Sequence, residues 1–163
     1  MRLLLIAVSL MLAVPAHADE PAVPEPLEPW VSWVLHDVDG TRCPVLGSER
    51  LCAWPGRLDL TLDEAGGSFA LKVRVDEETR LPVPGSTEHW PRDLETDGKP
   101  ALLARRGDTP HVLLGPGEHS VTGRFTWSRL PESLAVPPAI ALLDVDVNGR
   151  AVAFPRRQAD GLL

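Results

Sequence analysis

Residues 57–75 read RLDLTLDEAGGSFALKVRV. Apolar side chains occupy every second position from 58 to 62 and again from 69 to 75, and the positions between them are mostly polar or charged. A side-chain period of two is typical of a β-strand with one buried face. Residues 63–67, DEAGG, lie between the two runs and are rich in turn-forming residues. The stretch therefore predicts two strands joined by a turn.

The same period recurs in residues 120–127, where Gly123 stands at an apolar position. A turn is predicted just before it at 115–117, Gly-Pro-Gly. Asn148-Gly149 also lies between alternating runs and predicts a type I′ hairpin. Folding the chain there pairs the residues Val147 with Arg150, Val145 with Val152 and Leu143 with Phe154.

About seven to nine short strands separated by turns predict an all-β fold, an antiparallel β-sandwich of jelly-roll or immunoglobulin-like type. The 17 prolines and 13 glycines argue against a helical bundle. Residues 81–100 contain four prolines and no alternation, which predicts a long structured loop. Residues 130–137 are expected to form a crossing loop, with one helical turn as a possibility.

The first 18 residues have the features of a signal peptide: Arg2, an apolar run from Leu3 to Val14, and the cleavage pattern Ala16-His17-Ala18. Residues 19–29 are rich in Pro and Glu and predict a disordered leader before a domain at 30–163. We therefore expect a periplasmic or secreted protein with no transmembrane helix in the mature chain.

Cys43 and Cys52 are the two cysteines of the chain. In an oxidising compartment this spacing predicts a disulfide that closes a short loop. A redox-active pair would more typically be spaced C-x-x-C, and a metal site would need further ligands. The sequence therefore predicts no metal site and no cofactor.

The formal net charge of −7 argues against nucleic acid as a partner. The chain has five tryptophans, three phenylalanines and no tyrosine. Trp33 and Trp127 stand at apolar positions of the alternating strand pattern, which predicts that their side chains lie in the core. Trp54 and Trp90 each precede a proline in a predicted loop, where a flat indole can stack on a sugar ring or anchor a partner. The alternative is that these two indoles cap the open ends of the sandwich.

Four further patterns have a functional and a structural interpretation. Asp144-x-Asp146-x-Asn148-Gly149 matches half of a calcium loop, but Pro155 stands where the bidentate glutamate belongs, and the hairpin explains the same residues. The segment 36–40, HDVDG, offers cation ligands or simply a turn. Glu88 and His89 offer acid–base groups without an accompanying catalytic motif. Two arginine pairs, at 105–106 and 156–157, are interpreted as solvated strand edges.

Several short motifs occur together in order along the chain. They are Trp30–His36, Cys43-Pro44, Cys52–Gly56, His89–Pro91, Pro116–His119, Gly123–Trp127 and Leu130–Leu134. As a set they resemble the N-terminal region of large exported proteobacterial envelope proteins of unassigned function. The resemblance covers nearly the whole mature chain and implies a β-rich module, with no catalytic residue to carry over.

Three functions are compared on this basis. The first hypothesis is a non-enzymatic envelope module that acts as a scaffold or docks another envelope protein. The second is a carbohydrate-binding module that uses Trp54 and Trp90 together with Glu88 and His89. The third, an enzyme on the same fold, would require His and carboxylate groups to converge in one pocket.

Overall fold

The computed structural model describes residues 23–34, 36, 43–46, 49–158 and 163. The signal peptide, residues 1–18, and most of the HDVDG segment lie outside the described residues. The described chain divides between residues 39 and 40 into a short N-terminal unit and a β-rich unit. In the part of the chain that is described, no helix is long and apolar enough to cross a membrane.

The β-rich unit is an all-β sandwich, as predicted. Its strands are β1 Val45–Leu46, β2 Glu49–Arg50, β3 Ala53–Leu62, β4 Gly66–Val75, β5 Thr79–Pro82, β6 Arg92–Thr96, β7 Lys99–Pro100, β8 Leu103–Arg106, β9 Thr109–Leu114, β10 Gly117–Thr126, β11 Leu142–Val147 and β12 Arg150–Ala151. One sheet has the order β12-β11-β3-β4-β10-β6-β7, a second has the order β5-β9-β8, and β1 pairs with β2.

The long strands β3 and β4 contain the alternating runs at 58–62 and 69–75, and they pair antiparallel across the predicted turn. The Asp63 carboxylate stabilises that turn, because its Oδ1 accepts the amide hydrogens of Ala65 at 2.7 Å and Gly66 at 2.9 Å. Strand β10, which contains the third run, pairs with the other side of β4. These three strands form the centre of the larger sheet.

One strand pair departs from the predicted antiparallel arrangement. Strand β11 lies parallel to β3, with Val145 opposite Leu60. The reason is the long crossing connection between β10 and β11. It takes the chain past β4 and β3 to the other edge of β3, where β11 enters the sheet in the same direction as β3. The crossing loop at 130–137 is present, but it contains no helical turn.

The inward side chains of both sheets form one core. Leu58, Leu71 and Val121 from the larger sheet are fully buried, and Val112 from the smaller sheet joins them. Position 123 faces inward, and it requires a glycine because a Cβ atom there would lie 2.6 Å from the Phe69 ring. The glycine at an apolar position is therefore a packing requirement of the core.

The Asn148-Gly149 hairpin is confirmed in its turn and register. Both turn residues have positive φ, 54° and 76°, as a type I′ turn requires, and Val147 pairs with Arg150. The predicted pairing of Leu143 with Phe154 is wrong. Strand β12 ends at Ala151, at the edge of the sheet in the described part of the chain, and Phe154 is 91% exposed.

The prediction of a loop over 81–100 is wrong for much of that stretch. Strand β5 ends within it, and β6 and β7 form a hairpin around Asp97-Gly98, both at positive φ. The alternation is hard to detect because β6 spans five residues and buries only Leu94. The Asp-Gly pair was the available sequence signal for this hairpin.

The N-terminal unit contains a 3-10 turn, Glu25–Leu27, and the helix α1, Glu28–Val34. Residues 25–29, at the end of the predicted leader, therefore lie in the 3-10 turn and the start of α1, and residues 19–22 lie outside the described residues. The assignment of Trp33 to the core is wrong, because its side chain is 74% exposed on α1. Apolar residues at 30, 33 and 34 fit the spacing of one face of a helix, a signal that differs from the period of two on which the prediction rested.

Candidate functional site

The side of the larger sheet that faces away from the core is polar. We call it the outer face and define it by the outward residues of the three central strands. They are Trp54, Asp59 and Thr61 on β3, Ser68, Ala70, Lys72 and Arg74 on β4, and Glu118, Ser120, Thr122 and Arg124 on β10. The alternation that buries one side of these strands necessarily presents the other to solvent.

Two adjoining depressions occupy the outer face. The first, which we call the groove, has a volume of about 690 Å³ and a floor of small residues, among them Thr61, Ser68, Ala70 and Thr122. The second, the Trp54 hollow, has a volume of about 530 Å³. It is lined by Trp54, Lys72, Arg74, Glu118, His119 and Ser120, among others. Both depressions follow β4 and β10, and together they run along the sheet.

Trp54 lies in strand β3 and not in a loop, which corrects the sequence prediction. Its indole Nε1 donates a hydrogen bond of 2.8 Å to Oδ2 of Asp76. The other oxygen of the same carboxylate accepts from Nε of Arg74 at 3.4 Å. Asp76 therefore fixes the indole and the guanidinium side by side, while 42% of Trp54 stays exposed. A fixed, exposed indole is a ready-made stacking surface.

The charges around the hollow divide into paired and unpaired groups. Arg57 contacts both Asp59 and Asp144, so one guanidinium is shared between two carboxylates. Within the described part of the chain, the Lys72 ammonium and the Glu118 carboxylate have no hydrogen-bond or ion-pair partner. The terminal nitrogens of Arg74 are likewise uncommitted, because only Nε contacts Asp76. Two cationic groups and one anionic group are thus available to a ligand.

His119 and Asp97 form a pair at the rim of the hollow. His119 Nδ1 lies 2.8 Å from Asp97 Oδ2, and Nε2 lies 2.9 Å from the carbonyl oxygen of Gly115. Both partners only accept hydrogen bonds, so this arrangement favours the imidazolium with a hydrogen on each nitrogen. The contact with Asp97 raises the pKa of His119. The Ser120 amide and His119 lower the pKa of Asp97.

This histidine–aspartate pair is poorly suited to base catalysis. A general base needs a free nitrogen directed at its substrate, whereas Nε2 of His119 already donates to a backbone carbonyl. The pair instead ties the β6–β7 turn to β10, since Asp97 Oδ1 also accepts the Ser120 amide hydrogen at 2.9 Å. Its role in the observed geometry is to hold the rim of the hollow in place.

Glu88 and His89 line a separate depression of about 410 Å³ together with Trp127. Their backbone amides both donate to the Ser86 hydroxyl oxygen at 3.3 Å. The His89 ring meets the Trp127 ring edge-on, with the ring centres 6.0 Å apart. Trp127 packs against the core, as predicted.

The four candidate binding residues are therefore not assembled into one site. Trp54 lines its own hollow, Glu88 and His89 line another, and half-buried Trp90 lines neither of them. Sequence reasoning missed Lys72, Arg74 and Glu118. Their signal was present, because they occupy the polar positions of the alternating strands, but such positions are ordinarily just solvated.

The predicted disulfide between Cys43 and Cys52 is confirmed, with the two Cα atoms 4.7 Å apart. A carboxylate oxygen of Glu77 lies within 4.8 Å of both sulfur atoms. Because the sulfurs are bonded to each other, they are not available as thiolate ligands for a metal. This cluster is therefore a structural cross-link.

The remaining patterns have structural roles where they are described. Asp144 contacts Arg57, and Asn148 donates its amide hydrogen to the Leu62 carbonyl at 2.9 Å. Arg105 and Arg106 are exposed on the edge strand β8, as predicted. Arg157 differs from the prediction of a solvated edge, because its guanidinium donates to carbonyl oxygens of the crossing connection, those of Val136, Pro137 and Ile140.

Comparison with protein-family models and with curated proteins gives no match to this chain. Among solved structures, an M1 zinc metallopeptidase from Deinococcus radiodurans is similar over 55% of this chain and 22% of that chain, with 17% identity and a TM-score of 0.39. A mutant form of an M1 zinc metallopeptidase from the same organism is similar over 73% of this chain and 39% of that chain, with 14% identity and a TM-score of 0.39. The chain spans well under half of those proteins. At this level of similarity the likeness carries no functional inference.

Proposed function

We propose that this protein is a non-enzymatic carbohydrate-binding module of an exported cell-envelope protein, with its ligand held on the outer face. The observation that carries the proposal is the indole of Trp54, exposed on the sheet and fixed through Nε1 by Asp76. Sugars present apolar C–H faces that stack on such rings, and their hydroxyls suit polar floors like that of the groove.

The shape of the outer face supports an extended ligand. From Ser68 to Arg74 the surface spans about 20 Å at the usual rise of a strand. The groove includes the short residues Ser68, Ala70 and Thr122, which leave room for a chain of sugar units to lie along β4 and β10. The outer face offers a large protein partner only one exposed large apolar side chain on its three central strands, Trp54. This composition favours a glycan over a protein on this surface.

A glycan array tests the proposal with the mature chain. The wild type should retain at least one class of oligosaccharide, and Trp54→Ala should remove that binding because the stacking surface is lost. Trp90→Ala is the matched control, since Trp90 lines neither depression of the outer face, and it should bind like the wild type. Equal binding by wild type and Trp54→Ala would contradict the proposed site.

Protein docking within the envelope is the second candidate, favoured by the N-terminal unit. Leu27, Trp30, Trp33 and Val34 expose more than half of their side chains. The Trp30 and Trp33 rings meet edge-on, with their centres 6.3 Å apart. Contiguous exposed aromatic residues are typical of protein interaction surfaces.

A photo-crosslinker in place of Trp33 tests this second candidate in the native host. Docking predicts one discrete adduct with an envelope protein, and the adduct should disappear when Trp30 is changed to Ser. The same crosslinker at Arg105, on the edge of the smaller sheet, is the control. If the two positions give the same diffuse products, the docking role is contradicted.

A further inference from the structure

The groups around Trp54 also indicate which kind of sugar the outer face would select. Because this inference names the ligand of the proposed carbohydrate site, it rests on the proposed function. We infer that the Trp54 hollow recognises an acidic sugar, a unit that carries a carboxylate, such as a uronic acid residue within an oligosaccharide.

The first observation is the geometry of Arg74. Its Nε contacts Asp76 at 3.4 Å, which orients the planar guanidinium beside the indole. The two terminal nitrogens then remain for a ligand, and such a pair matches the two oxygens of a carboxylate. Trp54 and Arg74 share one carboxylate, so the stacking surface and the anion-binding group are fixed in relation to each other.

The second observation is Lys72, on the same side of β4 and two residues before Arg74. Its side chain lines the Trp54 hollow, and no described residue pairs with its ammonium group. The Lys72 ammonium and the terminal nitrogens of Arg74 place two sets of cationic donors on the same strand of a chain whose net charge is −7. In an acidic protein, such a pair of donors favours an anion at that spot and not generally over the surface.

Two of the three carboxylates around the hollow are engaged by groups of the protein. Asp76 is occupied by Trp54 and Arg74, and Asp97 is occupied by His119 and the Ser120 amide. Glu118 is the one lining carboxylate without a described partner, and it lies opposite Arg74 on β10. A carboxylate at that position can accept hydrogen bonds from sugar hydroxyls while repelling the acidic group toward Lys72 and Arg74.

The size of the hollow is compatible with one sugar unit at this end of the outer face. Its volume is about 530 Å³, and its lining residues on β4 and β10 lie next along those strands to the lining residues of the groove. The adjoining groove carries the short residues Ser68, Ala70 and Thr122, and its lining also includes the charged residues Asp59, Asp93, Glu95 and Arg124. Neighbouring units of the same oligosaccharide can therefore continue along the sheet from the acidic unit.

Isothermal titration of the mature protein with oligogalacturonate and with its fully methyl-esterified form tests the inference. The two probes share size, linkage and apolar faces, and differ in charge. The acidic probe should bind about tenfold more tightly, since hydrogen bonds to charged groups are stronger than neutral ones. The difference should shrink as salt is added, because the hollow is open to solvent.

Variants locate the charge recognition. Arg74→Gln and Lys72→Gln should each weaken binding of the acidic probe about fivefold and leave the ester unaffected, since each removes one cation. Glu118→Gln should tighten binding of the acidic probe about twofold by removing a like charge. Arg105→Gln, on the edge of the smaller sheet, should change nothing.

The outcomes separate the two proposals. If both probes bind equally and Trp54→Ala abolishes both, the acidic-sugar inference is overturned and the carbohydrate site stands. The same holds if neither probe binds but a neutral glycan binds in a Trp54-dependent manner. If no glycan binds, or if binding persists unchanged in Trp54→Ala, both proposals are overturned.

Discussion

His119 couples the stability of the fold to pH through the two hydrogen bonds of its ring. Its pKa is raised by Asp97, so its stabilising contribution is complete below the ordinary histidine value of 6.5 and is lost as pH rises through the raised pKa. The pKa of Asp97 is lowered, so its contribution is present above 3.8 and is lost as pH falls through the lowered pKa. The pair therefore stabilises most between these two ordinary values.

Urea unfolding of the wild type and His119→Gln at pH 5.5 and pH 8.5 measures this coupling. The glutamine stays neutral at both pH values, so the variant should lose more stability relative to the wild type at pH 5.5 than at pH 8.5. An identical difference at the two values would show that the imidazolium form contributes nothing specific. Asp97 is largely solvated, which limits the size of the effect.

The crossing connection between β10 and β11 is an element without regular structure, and Arg157 replaces the missing hydrogen bonds. Its guanidinium donates to the carbonyl oxygens of Val136, at 3.2 Å, and of Pro137 and Ile140. Backbone carbonyls in a loop that packs on the core need such partners. The C-terminal Leu163 adds a second support, because it exchanges two backbone hydrogen bonds with Leu134.

Arg157→Met tests the role of this side chain in the element. We expect the free energy of unfolding to fall by about 1–3 kcal/mol, because carbonyls of the connection lose charged donors. Arg156→Met is the matched control, since Arg156 is exposed, and its effect should stay within about 0.5 kcal/mol. Equal effects of the two substitutions in urea denaturation would contradict the assignment.

The elements that could be predicted from sequence are those with a strong local signal. Three strands, β3, β4 and β10, were predicted from their alternation, and one hairpin was predicted from Asn148-Gly149. Both signals depend only on residues that are neighbours in the sequence. The parallel pairing of β11 with β3 is a long-range outcome of the crossing connection and has no local signature. Strands β6 and β7 were missed because they are short and bury little.

The candidate site was only partly predictable for the same reason. Trp54 was selected as an indole preceding a proline, although it lies in a strand and not in a loop. Its grouping with Arg74 and Asp76 depends on the bulge in β3 between Pro55 and Leu58, which brings Trp54 opposite Arg74. Spacing in the sequence cannot reveal that register. The sequence-based prediction therefore grouped Trp54 with Glu88 and His89, which line a different depression.

In the whole molecule, the core that stabilises the fold and the outer face that we propose as the binding surface lie on opposite sides of the larger sheet. One core joins the inward side chains of both sheets, and the larger sheet leaves its outer face polar and grooved. The disulfide closes a loop just before β3, the strand that carries Trp54. A rigid sheet with a fixed indole is a suitable scaffold for a binding site, because little order has to be gained when a ligand binds.

The most direct measurement of the central claim is a two-dimensional NMR titration of the mature, isotope-labelled protein with an oligosaccharide selected by the glycan array. A carbohydrate site on the outer face predicts that the Trp54 indole Nε1–H signal and the backbone amides of Lys72 and Ser120 shift together and saturate with one dissociation constant. Shifts confined to the Glu88–His89 depression, or an unchanged Trp54 signal at saturating ligand, would contradict the account.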